Sequence, residues 1–293
     1  SRRYRAETRD GKWHLSDELA AQAYLAARLP ATFAAVTSAL QQTADRIADF
    51  APRSHLDIGA GPGTALWAAS GVWPEIDQAL LLEGSQAIRA VGEKLSAHAP
   101  VADVQWHSAD VTGGLKDAQA AELVTVAYVL DELSEPVRQK LIAQLWALTE
   151  GVFVIIEPGT PAGWQRILDA RGQLQALGAH IAAPCTHHQS CAVQAPDWCH
   201  FSRRVARSKI HRLTKEADVP WEDEKFSYLA VSRQPAPLTG QRVLMQPKTG
   251  GGKVIAKLCG ADGRVAEQLI TKRDKALFAE LRRADWGDLV GAE

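Results

Sequence analysis

Apolar residues between positions 51 and 182 alternate between short continuous runs and helical spacing. Continuous runs are typical of strands that are buried on both faces, whereas a three- to four-residue spacing is typical of amphipathic helices. The runs occupy residues 55–58, 79–82, 104–107, 123–129 and 152–156. The helical stretches between them occupy residues 64–70, 86–98, 136–149 and 162–177. This alternation predicts an α/β fold with a doubly wound, Rossmann-like sheet covered by helices on both faces.

The flanking segments have different patterns. Residues 16–50 carry apolar residues at helical spacing, which predicts a helical cap over residues 1–50. Residues after 182 first form a stretch rich in Cys, His, Pro and Gln. The pattern after this stretch predicts a basic helix at 202–215, a strand at 226–231, a short β meander at 241–270 and a closing helix at 275–284. We therefore predict a Rossmann-like domain at 51–182 and a smaller, partly β extension at 183–293.

Composition and charge narrow the classes of protein. Hydrophobic residues make up 46% of the 293 residues and charged residues 23%, which is typical of a globular chain and excludes a wholly disordered one. No run approaches 18 apolar residues, so we expect no membrane span. Residues 1–199 carry 15 basic and 22 acidic residues, whereas residues 200–293 carry 18 and 12. The asymmetry favours a polyanion partner for the C-terminal part; the alternative is two solvated surfaces of opposite sign.

A glycine-rich loop follows the first predicted strand. The sequence HLDIGAGPGT at 55–64 places Gly59, Gly61 and Gly63 between that strand and a helix. Glycines allow a sharp turn and allow a ligand to approach main-chain N–H groups. The spacing differs from the dinucleotide fingerprint, and the Lys-Ser/Thr pair of a phosphate loop is absent.

This loop resembles motif I of the class I S-adenosylmethionine (SAM)-dependent methyltransferases. The resemblance implies that Asp57 helps to position the amino-acid end of SAM and that the loop lies under the cofactor. It further implies that Glu83, after the second strand, accepts the ribose hydroxyls, and that Asp110, after the third, lies near the adenine. The fold class expected is therefore a Rossmann-like methyltransferase sheet.

The sequence gives fewer indications of the residues that would contact the methyl acceptor. Strand four ends in AYVLDEL without the Pro-Pro motif of base-nitrogen methyltransferases, and no cysteine lies before residue 185. Tyr128, Asp131 and Glu132 remain the candidates for stacking on a base or accepting a proton. The alternative role of Tyr128 is that of a half-buried aromatic residue of the strand, and the alternative role of Asp131 and Glu132 is helix capping.

All four cysteines lie in the last third of the chain, at Cys185, Cys191, Cys199 and Cys259. Four thiolates can hold a zinc ion or a four-iron cluster, and the wide spacing favours the bulkier cluster. Free structural cysteines or disulfides are the alternatives. The other candidate ligands are His187, His188 and His200.

The cysteine set, together with EPGTPAG at 157–163 and CHFSRRV at 199–205, resembles the mitochondrial small-ribosomal-subunit methyltransferase-like family and its bacterial relatives. The resemblance implies a four-iron four-sulfur (4Fe-4S) cluster on the four cysteines and a role in assembly of the small ribosomal subunit. It implies a bacterial cytoplasmic or mitochondrial matrix location. We expect a monomer away from the ribosome.

A basic segment follows the third cysteine. We predict that this segment contacts rRNA through Arg203, Arg204, Arg207, Lys209 and Arg212. The alternative is that it forms a solvated helix without a partner. The leading function is a SAM-binding protein that methylates rRNA or assists assembly of the small subunit. The alternatives are a non-catalytic iron–sulfur RNA-binding assembly factor and a small-molecule methyltransferase with a structural zinc.

Overall fold

The computed structural model of the chain describes residues 18–109, 113–115, 118–207, 212 and 218–291. Its helices are α1 (Glu18–Ala27), α2 (Leu29–Ala44), α3 (Thr64–Val72), α4 (Gln86–Ser96), α5 (Glu135–Leu148), α6 (Pro161–Ala176) and α7 (Lys275–Leu281). The first eight strands are β1 (Ser54–Ile58), β2 (Gln78–Leu82), β3 (Asp103–His107), β4 (Ala121–Ala127), β5 (Thr149–Pro158), β6 (His180–Ala183), β7 (Phe201–Ala206) and β8 (Trp221–Ser232). The last five are β9 (Gln241–Val243), β10 (Lys248–Gly250), β11 (Lys253–Gly260), β12 (Val265–Thr271) and β13 (Leu289–Val290).

The central sheet has the strand order β3-β2-β1-β4-β5-β8-β6, with β7 paired to β8. The first five strands are parallel, and β8 runs antiparallel to β5 and to β6. Chain order reverses between β1 and β4, where an open α/β sheet forms a crevice at the carboxyl ends of its strands. The predicted α/β, doubly wound class is confirmed.

Two apolar layers cover this sheet. One face packs against α2 and α3 through residues such as Leu40 and Leu66, and the other packs against α5 and α6 through residues such as Leu145 and Leu174. β5 carries the run VFVII with every residue buried, because both of its faces are covered. The side-chain hydroxyl of Thr160 accepts from the Gly163 N–H and so begins α6.

The basic segment differs from its prediction. Residues 201–206 form β7, which pairs antiparallel with β8 and places Arg203 opposite Glu224 and Arg204 opposite Asp223. The helix predicted from residue 202 is therefore wrong for these residues. The cause is pairing with a strand some twenty residues later, which the local spacing of the basic residues does not encode.

The central sheet also reaches into the segment predicted as a C-terminal extension. β8 lies between β5 and β6, and its residues from Phe226 to Ser232 are buried. The remaining C-terminal strands form a separate antiparallel sheet in the order β10-β11-β9-β13, with β12 paired to β11. This sheet and α7 enclose a small core of their own around Val254 and Leu281. Among the described residues, no helix is long and apolar enough to cross a membrane.

Candidate functional site

The glycine loop joins β1 to α3 at the point where the strand order reverses. Gly59, Gly61 and Gly63 all have left-handed backbones, with φ of +65°, +56° and +84°. A Cβ on Gly59 would lie 2.3 Å from Cγ2 of Val129, which belongs to the segment after β4. The loop therefore needs glycine both for its conformation and for its close approach to the neighbouring strand.

Glu83 follows β2 and reaches the loop, as the sequence predicts. Its carboxylate accepts hydrogen bonds from the N–H groups of Gly61 at 2.8 Å and Ser85 at 2.7 Å. Burial raises the pKa of Glu83, while these main-chain N–H groups act in the opposite direction. An acidic acceptor is thus held beside the loop, where a ribose would need one.

Asp57 lies beneath the loop at the end of β1. The Thr125 hydroxyl donates to its Oδ1 at 2.6 Å, and His55 Nε2 lies 2.8 Å from the same hydroxyl oxygen. Within the described part of the chain, the buried Oδ2 of Asp57 has no hydrogen-bond partner. Burial raises the pKa of Asp57 to about 7. A buried acceptor without a donor fits the amino group of a ligand.

Trp106 on β3 is a site residue that the sequence reasoning missed. Its ring lies against Gly63 and Gly92, where an added Cβ would be 3.5 Å and 2.3 Å from the indole. Its Nε1–H donates to Ser96 at 2.9 Å. The indole therefore forms a wall between the glycine loop and α4. Asp110, the predicted adenine contact, lies outside the described residues.

The N-terminal helices cover the mouth of this site. Arg28, at the junction of α1 and α2, donates to both oxygens of Glu224 at 2.8 and 2.6 Å. The same guanidinium lies 5.7 Å from the ring centre of Tyr128, whose hydroxyl donates to Glu224 at 3.3 Å. Burial raises the pKa of the Tyr24 phenol on α1. Sequence reasoning missed Arg28 and Glu224, because they are 196 positions apart.

Tyr128 stands at the carboxyl end of β4 with a φ of +59°. Left-handed backbone is uncommon for a residue with a side chain and is found where the surrounding structure imposes it. The Tyr128 N–H donates to Ile156 O at 2.8 Å, which holds the residue at the edge of β5. Its ring and its hydroxyl are both engaged, the ring by Arg28 and the hydroxyl by Glu224.

Three carboxyl groups lie near the carboxyl ends of β4 and β5. Asp131 and Glu132 lie in a short 3-10 turn, and partial desolvation of the exposed Glu132 side chain raises its pKa to about 7, assisted by the charges of Asp131 and Glu83. Glu157 is fully buried and accepts from Arg166 at 2.5 Å and from the Leu130 N–H at 3.2 Å. Burial raises the pKa of Glu157 to about 8 against the lowering effect of Arg166. Glu132 is therefore the carboxyl group suited to accept a proton near neutral pH.

The four cysteines come from two parts of the chain, the connection between β6 and β7 and the strand β11. Cys185 follows β6, Cys191 lies in the next loop, Cys199 precedes β7, and Cys259 lies on β11. All four are free, and burial is the largest single cause of the raised pKa of Cys199. Among the described residues, no group of three or more His, Cys, Asp or Glu side chains is arranged to hold a metal ion. In the part of the chain that the structure describes, the four thiols are therefore not arranged as a coordinating set.

The histidines suggested as other ligands have different surroundings. His200 stacks on Trp198 at 4.8 Å between ring centres and meets Trp286 edge-on at 4.8 Å. His188 lies 6.3 Å from His180. His187 is buried, and burial lowers its pKa. The aromatic stack of His200 is a packing role that its position beside Cys199 did not reveal.

The basic residues predicted to contact RNA are mostly paired within the protein. Arg203 donates to the Ser38 hydroxyl at 2.8 Å and to Trp286 O at 2.9 Å. Arg204 pairs with Asp223 at 2.8 Å, and Arg207 pairs with Glu222 at 3.1 Å. Arg212 is exposed, and Lys209 lies outside the described residues.

The strand order and the glycine loop, with its acid directly after β2, define a Rossmann-like methyltransferase fold. Solved structures of low similarity include a putative RNA methyltransferase from Pyrococcus horikoshii, at 12% identity and a TM-score of 0.44, covering 67% of this chain and 80% of that one. Another is the magnesium protoporphyrin IX methyltransferase of Synechocystis PCC 6803 with bound SAM, at 12% identity and a TM-score of 0.45, covering 80% and 90%.

Residues 18–291 match the family described as mitochondrial small ribosomal subunit Rsm22, and the chain belongs to that family. It is also similar to the human ribosome assembly protein METTL17, mitochondrial, with 27% identity over 293 residues. That match covers 91% of this chain, which spans 61% of the length of the human protein.

Proposed function

We propose that this protein binds SAM at the glycine loop and acts in assembly of the small ribosomal subunit, either by methylating rRNA or as an assembly factor of methyltransferase fold. Membership of the Rsm22 family supports the ribosomal role. The observation that carries SAM binding is the pairing of the glycine loop with two acids, Glu83 and Asp57.

The residues around the loop suit the parts of SAM. Main-chain N–H groups of the loop would face the cofactor, Glu83 would accept the ribose hydroxyls, and the buried Oδ2 of Asp57 would accept from the amino group. When bound, SAM supplies an electrophilic methyl group. Glu132 would accept a proton from the methyl acceptor, because its raised pKa leaves it a base near pH 7.

The cofactor proposal is tested by calorimetric titration with SAM and with S-adenosylhomocysteine. We expect Glu83→Ala to weaken SAM binding at least tenfold, because a buried acceptor is removed. Glu93→Ala is the matched control, because the Glu93 side chain is half exposed and pairs with Arg89 on the surface of α4. Wild-type protein that binds neither ligand would overturn the proposal.

Methyl transfer is tested separately with tritiated SAM and small-subunit particles or rRNA. One observation favours the hypothesis of a non-catalytic assembly factor: Tyr128, at the carboxyl end of β4, is held by both Arg28 and Glu224. If SAM binds and no label is transferred to any assembly intermediate, the protein is an assembly factor. RNA affinity that is independent of salt would instead favour a small-molecule methyltransferase.

We also propose that the four cysteines bind a metal centre, with a 4Fe-4S cluster as the leading form and zinc as the alternative. One contact supports the fit: the Thr186 hydroxyl donates to the Cys259 carbonyl at 3.1 Å, which joins β11 to the loop of Cys185. Such a centre would supply a covalent link between the central sheet and the C-terminal sheet.

Iron, zinc and sulfide analysis of anaerobically purified protein tests the metal centre, together with its absorption spectrum. A brown protein with about four irons is expected. Colourless protein with one zinc would replace the cluster by the alternative, and metal-free protein that folds normally would overturn both. We place the protein in a bacterial cytoplasm or a mitochondrial matrix, in keeping with its mitochondrial relative.

A further inference from the structure

The outer face of the C-terminal sheet is exposed, and the proposed function leaves it without a role. β11 alternates between buried residues, which contribute to the small core, and residues that lie on the opposite face. Residues opposite one another on paired strands share a face. On the outer face they form one row of Lys248, Ile255 and Leu269 and a second row of Gly250, Lys253 and Thr271. Leu269 is 58% exposed, and both lysines are exposed.

A glycine turn joins β10 to β11 beside the second row. Its two residues, Gly251 and Gly252, have left-handed backbones with φ of +55° and +77°, as a two-residue hairpin turn of this kind requires. A Cβ on Gly251 would meet nothing within 4 Å, so the space next to the turn is open. Within the described residues, the main-chain N–H groups of Gly251 and Gly252 form no hydrogen bond. They are therefore available to a ligand.

Three lysines surround this turn. Lys248 precedes it on β10, and Lys253 follows it directly. Lys272 packs over it, because a Cβ on Gly252 would lie 3.3 Å from Cε and 3.8 Å from Nζ of that lysine. In the part of the chain that the structure describes, none of the three lysines forms an ion pair. We call the two glycines and these three lysines the lysine turn.

The acidic residues of this sheet leave the lysine turn positively charged. Residues 241–274 carry seven basic and three acidic residues. Asp274 Oδ2 accepts from the N–H of Thr271 at 3.0 Å and from its hydroxyl at 3.2 Å, which engages this carboxylate in the turn before α7. Glu267 lies opposite Lys257, about 13 Å along β11 from the lysine turn.

The arginines predicted to contact RNA have different surroundings. Arg204 and Arg207 form ion pairs with carboxylates of β8, so a phosphate would have to displace those partners. The lysine turn would gain a partner without losing one. Lysine side chains and main-chain N–H groups are donors that proteins use to bind nucleic-acid phosphates.

We propose that the lysine turn and the outer face of the C-terminal sheet bind the phosphate backbone of small-subunit rRNA. This inference rests on the ribosomal role in the proposed function. The ammonium groups and the N–H groups of the turn would contact phosphate oxygens, and the exposed Leu269 would contact the apolar faces of the sugars. Contacts of this kind do not read the base sequence, and they make the affinity strongly dependent on salt.

The test measures binding of a small-subunit rRNA transcript over a series of KCl concentrations. Lys253→Gln combined with Lys272→Gln should weaken binding at least tenfold at low salt. The slope of log K against log salt should become shallower by about 2, because each lysine bound to a phosphate contributes about 1. Lys253→Arg combined with Lys272→Arg keeps both charges and should keep the slope of the wild type.

Lys94→Gln combined with Lys140→Gln is the matched control. Both lysines are exposed, on α4 and α5, and the double variant loses the same amount of charge. Its slope should equal that of the wild type. Slopes that change equally in the two glutamine double variants, or in neither, would overturn the inference.

Two further outcomes separate the inference from the rest of the proposed function. Tighter binding of polyglutamate than of rRNA would indicate an acidic protein partner and would overturn the RNA assignment. Wild-type protein that binds SAM but no rRNA would overturn the inference and leave the cofactor proposal standing. The lysine variants should bind SAM as the wild type does.

Discussion

Replacement of Gly59 by alanine tests the physical basis of the glycine loop. The alanine must adopt a φ of +65°, and its Cβ would lie 2.3 Å from Cγ2 of Val129. Left-handed backbone costs about 1–2 kcal/mol for a residue with a Cβ. Overpacking against a neighbouring side chain costs about 1–3 kcal/mol more. We therefore expect Gly59→Ala to lower the free energy of unfolding by about 2–5 kcal/mol.

Gly61→Ala separates the two contributions. Gly61 has a φ of +56°, yet a Cβ there would meet nothing within 4 Å. Only the backbone cost remains, so we expect a loss of about 1–2 kcal/mol. A double variant, Gly59→Ala with Val129→Ala, removes the clashing methyl groups and leaves the Val129 Cβ at 3.6 Å. The coupling energy between the two substitutions should be about 1–3 kcal/mol in the stabilising direction.

Urea unfolding followed by tryptophan fluorescence measures these differences, since the chain contains nine tryptophans. Equal unfolding free energies for Gly59→Ala and Gly61→Ala, within about 0.5 kcal/mol, would refute the steric part of the reasoning. The absence of coupling in the double variant would refute it independently. SAM titration of the same variants shows whether loop strain also weakens binding.

Three further predictions concern buried polar groups. Burial lowers the pKa of His55 from 6.5 to about 3. Because the unfolded chain takes up this proton first, the free energy of unfolding falls by up to about 1.4 kcal/mol per pH unit as the pH drops from 6.5 to about 3. His55→Asn should remove this loss in a pH series of urea unfolding. Glu224→Gln removes the bidentate partner of Arg28, and should cost about 1–3 kcal/mol and speed hydrogen exchange in α1. Tyr228→Phe removes a buried hydrogen bond to Gln42 and should lower unfolding free energy by about 1–2 kcal/mol in thermal melts.

Each of these predictions has a contrary outcome. Parallel pH profiles for wild type and His55→Asn would show that the folded protein protonates this histidine. Arg53→Met, at an ion pair whose side chains are 71% and 34% exposed, should change stability by less than about 1 kcal/mol. If Glu224→Gln changes stability as little as Arg53→Met does, this would contradict the stabilising role assigned to the ion pair between Glu224 and Arg28. Unchanged stability in Tyr228→Phe would mean that Gln42 regains a partner after the hydroxyl is lost.

Much of the central sheet follows from the sequence alone. β1 to β5 appear where the apolar runs predict them, because a strand covered on both faces must be apolar at successive positions. The glycine loop and Glu83 also come from local signals, since a left-handed turn needs glycine and the acid follows the next strand at fixed spacing.

Only the tertiary structure decides the features that depend on distant pairing. Residues 201–206 form a strand because β8 pairs with them, whereas their basic residues alone suggested a helix. β11, which carries Cys259, packs beside the loop after β6, where Thr186 donates to the Cys259 carbonyl, and Arg28 pairs with Glu224 across 196 positions. Periodicity records which face of an element is buried, but it does not record which distant element covers that face. The paired arginines of β7 are therefore visible only in the folded chain.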